Sequence, residues 1–123
     1  MRNLIRTTIF AGIAAFAFVS AADAHPQVKS AGPAPGSVMK TSPKAIRIEF
    51  SEAVVATFSG IELTNAGGQK QETGTASLNP NDKKQLIVPV NGELAPGKYT
   101  VAWHAVGDDT HHVEGKFNFE IKP

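Results

Sequence analysis

From residue 27 onward, apolar and polar positions alternate in short runs, and no window keeps a helical period for three turns. Ile46-Arg47-Ile48-Glu49-Phe50 alternates as a half-buried strand does. Gly60-Ile61-Glu62-Leu63-Thr64 repeats the pattern, and Asn65-Ala66-Gly67-Gly68 closes it with turn chemistry. The stretch 85–90 reads as a short buried strand in which Pro89 predicts an edge position or a bulge. The two strongest strands come last. Residues 98–106 are β-branched and aromatic, with Tyr99, Val101 and Trp103 sharing a face, and residues 115–121 turn Phe117, Phe119 and Ile121 inward. Between them, residues 107–114 predict a polar loop, and Gly32-Pro33-Ala34-Pro35-Gly36-Ser37 predicts a rigid turn rather than a strand.

About seven short strands separated by Gly/Pro turns every 8–12 residues or so predict an all-β fold, an immunoglobulin-like antiparallel β-sandwich or Greek-key barrel. Such a sandwich gathers its loops at two ends. A segment near the N-terminus and the 107–114 loop can then meet at one of them.

The first 24 residues follow a different pattern: Arg2 and Arg6, an apolar run from Ile9 to Val19, then Ala21-Ala22-Asp23-Ala24. This is the build of a secretory signal peptide cleaved after Ala24, because the apolar run falls well short of the roughly 20 residues that span a bilayer. Of 123 residues, removal of 24 leaves 99, enough for one domain, 25–123, exported and not anchored in a membrane. Twelve Lys and Arg less Arg2 and Arg6 leave ten, and eleven Asp and Glu less Asp23 leave ten, so the mature chain is neutral. A neutral chain has no basic excess for nucleic acid or a membrane surface. The absence of cysteine excludes disulfides, thiolate metal sites and cysteine nucleophiles. A monomer is expected.

Cleavage after Ala24 also creates chemistry. His25 would then carry two nitrogen donors, the α-amine and imidazole Nδ1, able to close a chelate ring on one ion. Cu(II) favours nitrogen and oxygen in a tetragonal plane and heads the divalent affinity order. Pro26 has no N–H, so the next peptide nitrogen cannot join the ring and further ligands must come from elsewhere in the fold. Asp108-Asp109-Thr110-His111-His112 offers them: on an extended backbone Asp109 and His111 share a side and converge. His25, Asp109 and His111 make a set of three nitrogens and one oxygen, suited to Cu(II) and poorly matched to Ca²⁺ or Mg²⁺. Zn²⁺ would also accept these donors, though it prefers a tetrahedron. His104, behind Trp103, and His112, pointing away from His111, are expected to pack, face solvent or support the site from outside, and Glu52 to be a solvated carboxylate or to orient an imidazole.

The order of motifs is specific. His-Pro at the mature terminus is followed by Ala-Pro-Gly-Ser, Ile-Arg-Ile-Glu-Phe-Ser-Glu, Pro-Gly-Lys-Tyr-Thr-Val-Ala-Trp-His-Ala-Val, and then Asp-x-His with Gly-Lys-Phe-Asn-Phe. Over essentially the whole mature chain this resembles the CopC family of periplasmic copper-binding proteins. The resemblance implies an immunoglobulin-like barrel that binds Cu(II) through the N-terminal histidine and the Asp-x-His loop, roles that fall on His25, Asp109 and His111. It further implies copper homeostasis or resistance, by sequestration or by delivery to an inner-membrane copper transporter or another periplasmic copper protein. Some members hold Cu(I) in a methionine-rich loop; here the mature chain has only Met39. A Cu(II)-only member is expected.

Two other readings use the same residues. A copper oxidase resembling the lytic polysaccharide monooxygenases would also use an N-terminal histidine, but the mature chain has only Trp103, Tyr99 and four Phe to build a sugar-binding face, and Asp109 would fill a position that oxygen needs. A structural or adhesive sandwich would bind no metal. No Ser/His/Asp or paired-carboxylate arrangement is legible, so the expectation is a protein that is not an enzyme.

Overall fold

The computed structural model describes residues 25–123; the signal-peptide expectation for residues 1–24 lies outside the described residues. Eight strands follow in order: β1 (Val28–Gly32), β2 (Val38–Met39), β3 (Ala45–Phe50), β4 (Gly60–Asn65), β5 (Ser77–Asn79), β6 (Asp82–Pro89), β7 (Gly97–Val106) and β8 (His112–Ile121), with one 3₁₀ turn at Ala56–Phe58 between β3 and β4. They form two four-stranded sheets, β1-β3-β6-β5 and β2-β8-β7-β4. Pairing is antiparallel throughout except that the two-residue β2 runs parallel to β8. The expected all-β sandwich is the fold.

The alternation predicted for residues 46–50 is what builds the core. Ile46, Ile48 and Phe50 are completely buried while Arg47 is exposed, so β3 turns one face to the second sheet. Leu86 and Val88 of β6 join them, and Leu63, Tyr99, Val101, Ala105, Phe119 and Ile121 face them from the second sheet. Burying one such Leu, Ile or Phe side chain contributes roughly 1.5–3 kcal/mol, which is how a domain without disulfides holds together.

Tyr99, near the start of β7, donates its hydroxyl to the carbonyl of Ala95 at 2.5 Å. This resembles the tyrosine corner of immunoglobulin-like sandwiches. Burial of the phenol raises its pKa above the ordinary 10.0. Trp103 crosses the core edge-to-face with Phe50, ring centroids 5.4 Å apart, and its indole lies over Gly115, its cross-strand partner.

Two expectations need correction. The stretch 85–90 does not form an edge: β6 sits between β3 and β5, and Pro89 is its terminal residue, beyond the reach of β5 and against Gly74. The 107–114 loop is shorter than its polarity suggested, because the β7–β8 ladder continues to the pair Val106 and His112. Ladder hydrogen bonds and Val113, which packs on the core, recruit His112 to Glu114 into β8. Only residues 107–111 remain to turn the chain.

Candidate metal centre

Two segments from different sheets meet at one end of the sandwich. The first is the lead into β1. Gln27 donates its N–H to Ser51 Oγ at 2.9 Å and accepts from the Ser51 N–H at 2.7 Å, which clamps residues 25–27 against the end of β3. Pro26 is completely buried. The second is the turn between β7 and β8, drawn in by the Val55 N–H bond to the Val106 carbonyl at 2.8 Å and by a bridge between Val54 and Gly107.

Gly107 is where they touch. A Cβ there would lie 3.0 Å from Asp109 Oδ1 and 3.1 Å from Pro26 Cγ, so the absence of a side chain lets the terminal segment and the turn close on each other. The turn itself is tight: the Thr110 N–H reaches the Gly107 carbonyl at 3.0 Å, the Gly107 N–H reaches the His111 carbonyl at 3.1 Å, and Thr110 adopts φ 68°, unusual for a β-branched residue.

That turn corrects the geometry expected of Asp109 and His111. They converge, but through a left-handed Thr110 rather than an extended backbone. Asp109 Oδ2 stands 2.6 Å from His111 Nδ1, and Oδ1 accepts the His111 backbone N–H at 3.2 Å. The hydrogen bond to the imidazole is the main reason the Asp109 carboxyl titrates below its ordinary 3.8. Asp109 is therefore an anion held against a ring nitrogen.

His25 arrives from the other segment. Its ring meets that of His111 edge-on, with centroids 4.3 Å apart. Its Nδ1 is buried and has no hydrogen-bond partner among the described residues. An unpaired buried ring nitrogen costs about 1–3 kcal/mol unless something binds it. With metal–nitrogen bonds of about 2 Å, two imidazoles sharing an ion bring their ring centres to roughly 4–6 Å, a range that includes the His25 and His111 separation. Two cis donors on such an ion are roughly 2.8 Å apart, close to the Asp109 to His111 distance. Among the described residues no three His, Cys, Asp or Glu side chains form a closed ligand set. His25, His111 and Asp109 are linked by two contacts, the edge-on meeting of the two rings and the hydrogen bond between His111 Nδ1 and Asp109 Oδ2.

The other residues singled out in the sequence lie outside this chain of contacts. Glu52 is exposed and makes no hydrogen bond among the described residues, although its neighbour Ser51 clamps Gln27. His104 and His112 are exposed on the outer face of β7 and β8, with ring centroids 6.0 Å apart, and pair with each other rather than with His111. Sequence reasoning valued Pro26 for its missing N–H and passed over its burial; it missed Ser51 and Gly107 altogether. A proline directly after His25 was the available signal for the first, while nothing in the sequence marks Gly107 apart from other turn glycines.

Fold and site together define a small two-sheet β-sandwich with a histidine and carboxylate cluster at one end. The CopC domain family matches residues 28–122, and the chain belongs to the CopC family. It is 39% identical over 99 residues to Protein YobA of Escherichia coli K12, a match covering 80% of each chain. It is 30% identical over 126 residues to Copper resistance protein C of Escherichia coli, covering 98% of this chain and 99% of that one. Among solved structures it is similar to PcoC, a methionine-rich copper resistance protein from Escherichia coli, with a TM-score of 0.73 and 31% identity over 80% of this chain and all of the other.

Proposed function

We propose that the mature protein binds Cu(II) in the periplasm as cargo, for homeostasis or resistance, and is not an enzyme. The observation that carries this reading is the Nδ1 of His25, buried beside the His111 ring and without a hydrogen-bond partner among the described residues. Cleavage after Ala24 adds the α-amine of the same residue as a second donor. His111 and Asp109, already held against each other, would supply the remaining donors and complete a set of three nitrogens and one oxygen. Membership of the CopC family supports copper over the metal-free and oxidase readings.

The relatives' names add weight on the side of copper handling, and the methionine count narrows it. Met39, the single methionine left after processing, is half-buried against the core, so no thioether cluster exists for Cu(I). The protein is accordingly a Cu(II) carrier that passes its ion to an inner-membrane transporter or to another periplasmic copper protein. Mass spectrometry of exported protein, followed by Cu(II) titration of that form, tests this. A first residue of His25 and one tight equivalent with a nitrogen-rich tetragonal paramagnetic resonance spectrum are expected; a correctly processed chain with no measurable affinity would leave the metal-free sandwich.

A further inference from the structure

The outer face of the β7–β8 hairpin holds a second group of metal-ligating side chains that the copper site does not use. His104 stands directly opposite Glu114 in the ladder, and His112 lies two residues before Glu114 on β8, so the period of the strand puts all three side chains on one face. All three are exposed. The His104 and His112 rings are 6.0 Å apart and inclined at 76°, and neither forms a hydrogen bond among the described residues.

The imidazole of His104 is also seated. Its neighbour across the β4–β7 ladder is Gly60, and a Cβ there would fall 2.6 Å from His104 Cε1, so the ring occupies the place of a missing side chain. An open groove runs beside it, lined by Glu62, Lys70, His104 and Glu114. Lys70 is paired with Glu62 at 3.3 Å, which offsets its charge toward an incoming cation and leaves Glu114 as the carboxylate nearest the rings in register.

We infer that this face is a second site for a borderline divalent transition-metal ion, with His104 and His112 as imidazole donors and Glu114 as the oxygen donor. A ring separation of 6.0 Å falls at the wide end of the roughly 4–6 Å that one ion spans between two imidazoles. The three groups form no closed ligand set before the ion arrives. Its three donors come from exposed side chains with no chelating α-amine among them, so the site is weaker than the one at the terminus and fills second. Because His111 and His112 are consecutive, one short segment serves both sites from its two sides.

The test uses the mature chain and Cu(II) alone, followed by isothermal titration calorimetry beyond one equivalent, with His104→Gln and His112→Gln variants. Two equivalents are expected for the unaltered chain, the second at least tenfold weaker, and each substitution should abolish the second while leaving the first unchanged. Saturation of the unaltered chain at one equivalent, or a second equivalent that survives both substitutions, would overturn the proposal. The same titration on a form with its α-amine blocked keeps the two sites apart: if the terminal site is absent, the equivalent that depends on His104 still appears. Zn(II) added to the form with its α-amine blocked should shift the ring protons of both His104 and His112, and an unmoved His104 ring would overturn the proposal.

Discussion

Asp109 and His111 are bound to each other twice within one turn, through the imidazole at 2.6 Å and through the backbone N–H at 3.2 Å. The carboxylate therefore fixes both the ring and the chain that carries it. Loss of either residue should damage the same site. His111→Ala removes a nitrogen donor and Asp109→Asn removes the anion, and each is expected to weaken Cu(II) binding by at least about 10–100-fold, the scale on which even supporting groups act. Competition against a chelator measures this, and His111→Ala should also remove one nitrogen coupling from the paramagnetic resonance spectrum.

The same contact sets a pH dependence in the copper-free protein. Hydrogen bonding to His111 holds the Asp109 carboxyl below its ordinary 3.8, so the ionised form is favoured in the folded state. A lowered folded value means that this contribution to stability is complete above the ordinary carboxylate range and is lost as the pH falls through the folded value. A carbon-detected NMR titration should place the Asp109 midpoint below 3.8, and His111→Ala should raise it toward that value.

Most of the fold was legible because burial here follows a period of two. Ile46, Ile48 and Phe50 announce β3, and Tyr99, Val101 and Phe119 announce the β7–β8 face, since each alternates with polar neighbours. What escaped depended on partners remote in sequence. The two-residue β2 exists only because β8 offers it an edge, and the place of Pro89 beyond β5 depends on where β5 ends. His25, Asp109 and His111 were legible as residue types, but the left-handed Thr110 and the bare Gly107 that bring them together carry no distinctive sequence signal.

Gly115 is required by Trp103 rather than by the backbone. A Cβ at position 115 would lie 2.6 Å from Trp103 Cζ2, so Gly115→Ala forces the indole off Phe50. Overpacking of this kind costs about 1–3 kcal/mol. The denaturation midpoint should fall accordingly, with a change in the fluorescence of the lone tryptophan.

Tyr99→Phe keeps the ring stacked on Phe119 and removes only the hydroxyl that reaches Ala95. The Ala95 carbonyl loses its donor, and a loss of about 1 kcal/mol in unfolding free energy is expected. Copper affinity should not change, because Tyr99 lies near the start of β7 and the turn that carries Asp109 and His111 follows its other end.

The central claim is that copper is held by the terminus that processing creates at His25. Cu(II) affinity measured by chelator competition, on the chain beginning at His25 and on a form with one residue added before it, tests this most directly. The mature chain should bind one ion tightly and the extended form should lose at least about a hundredfold at that site, since the α-amine and its chelate ring are gone. Equal affinity in the two forms would contradict the account.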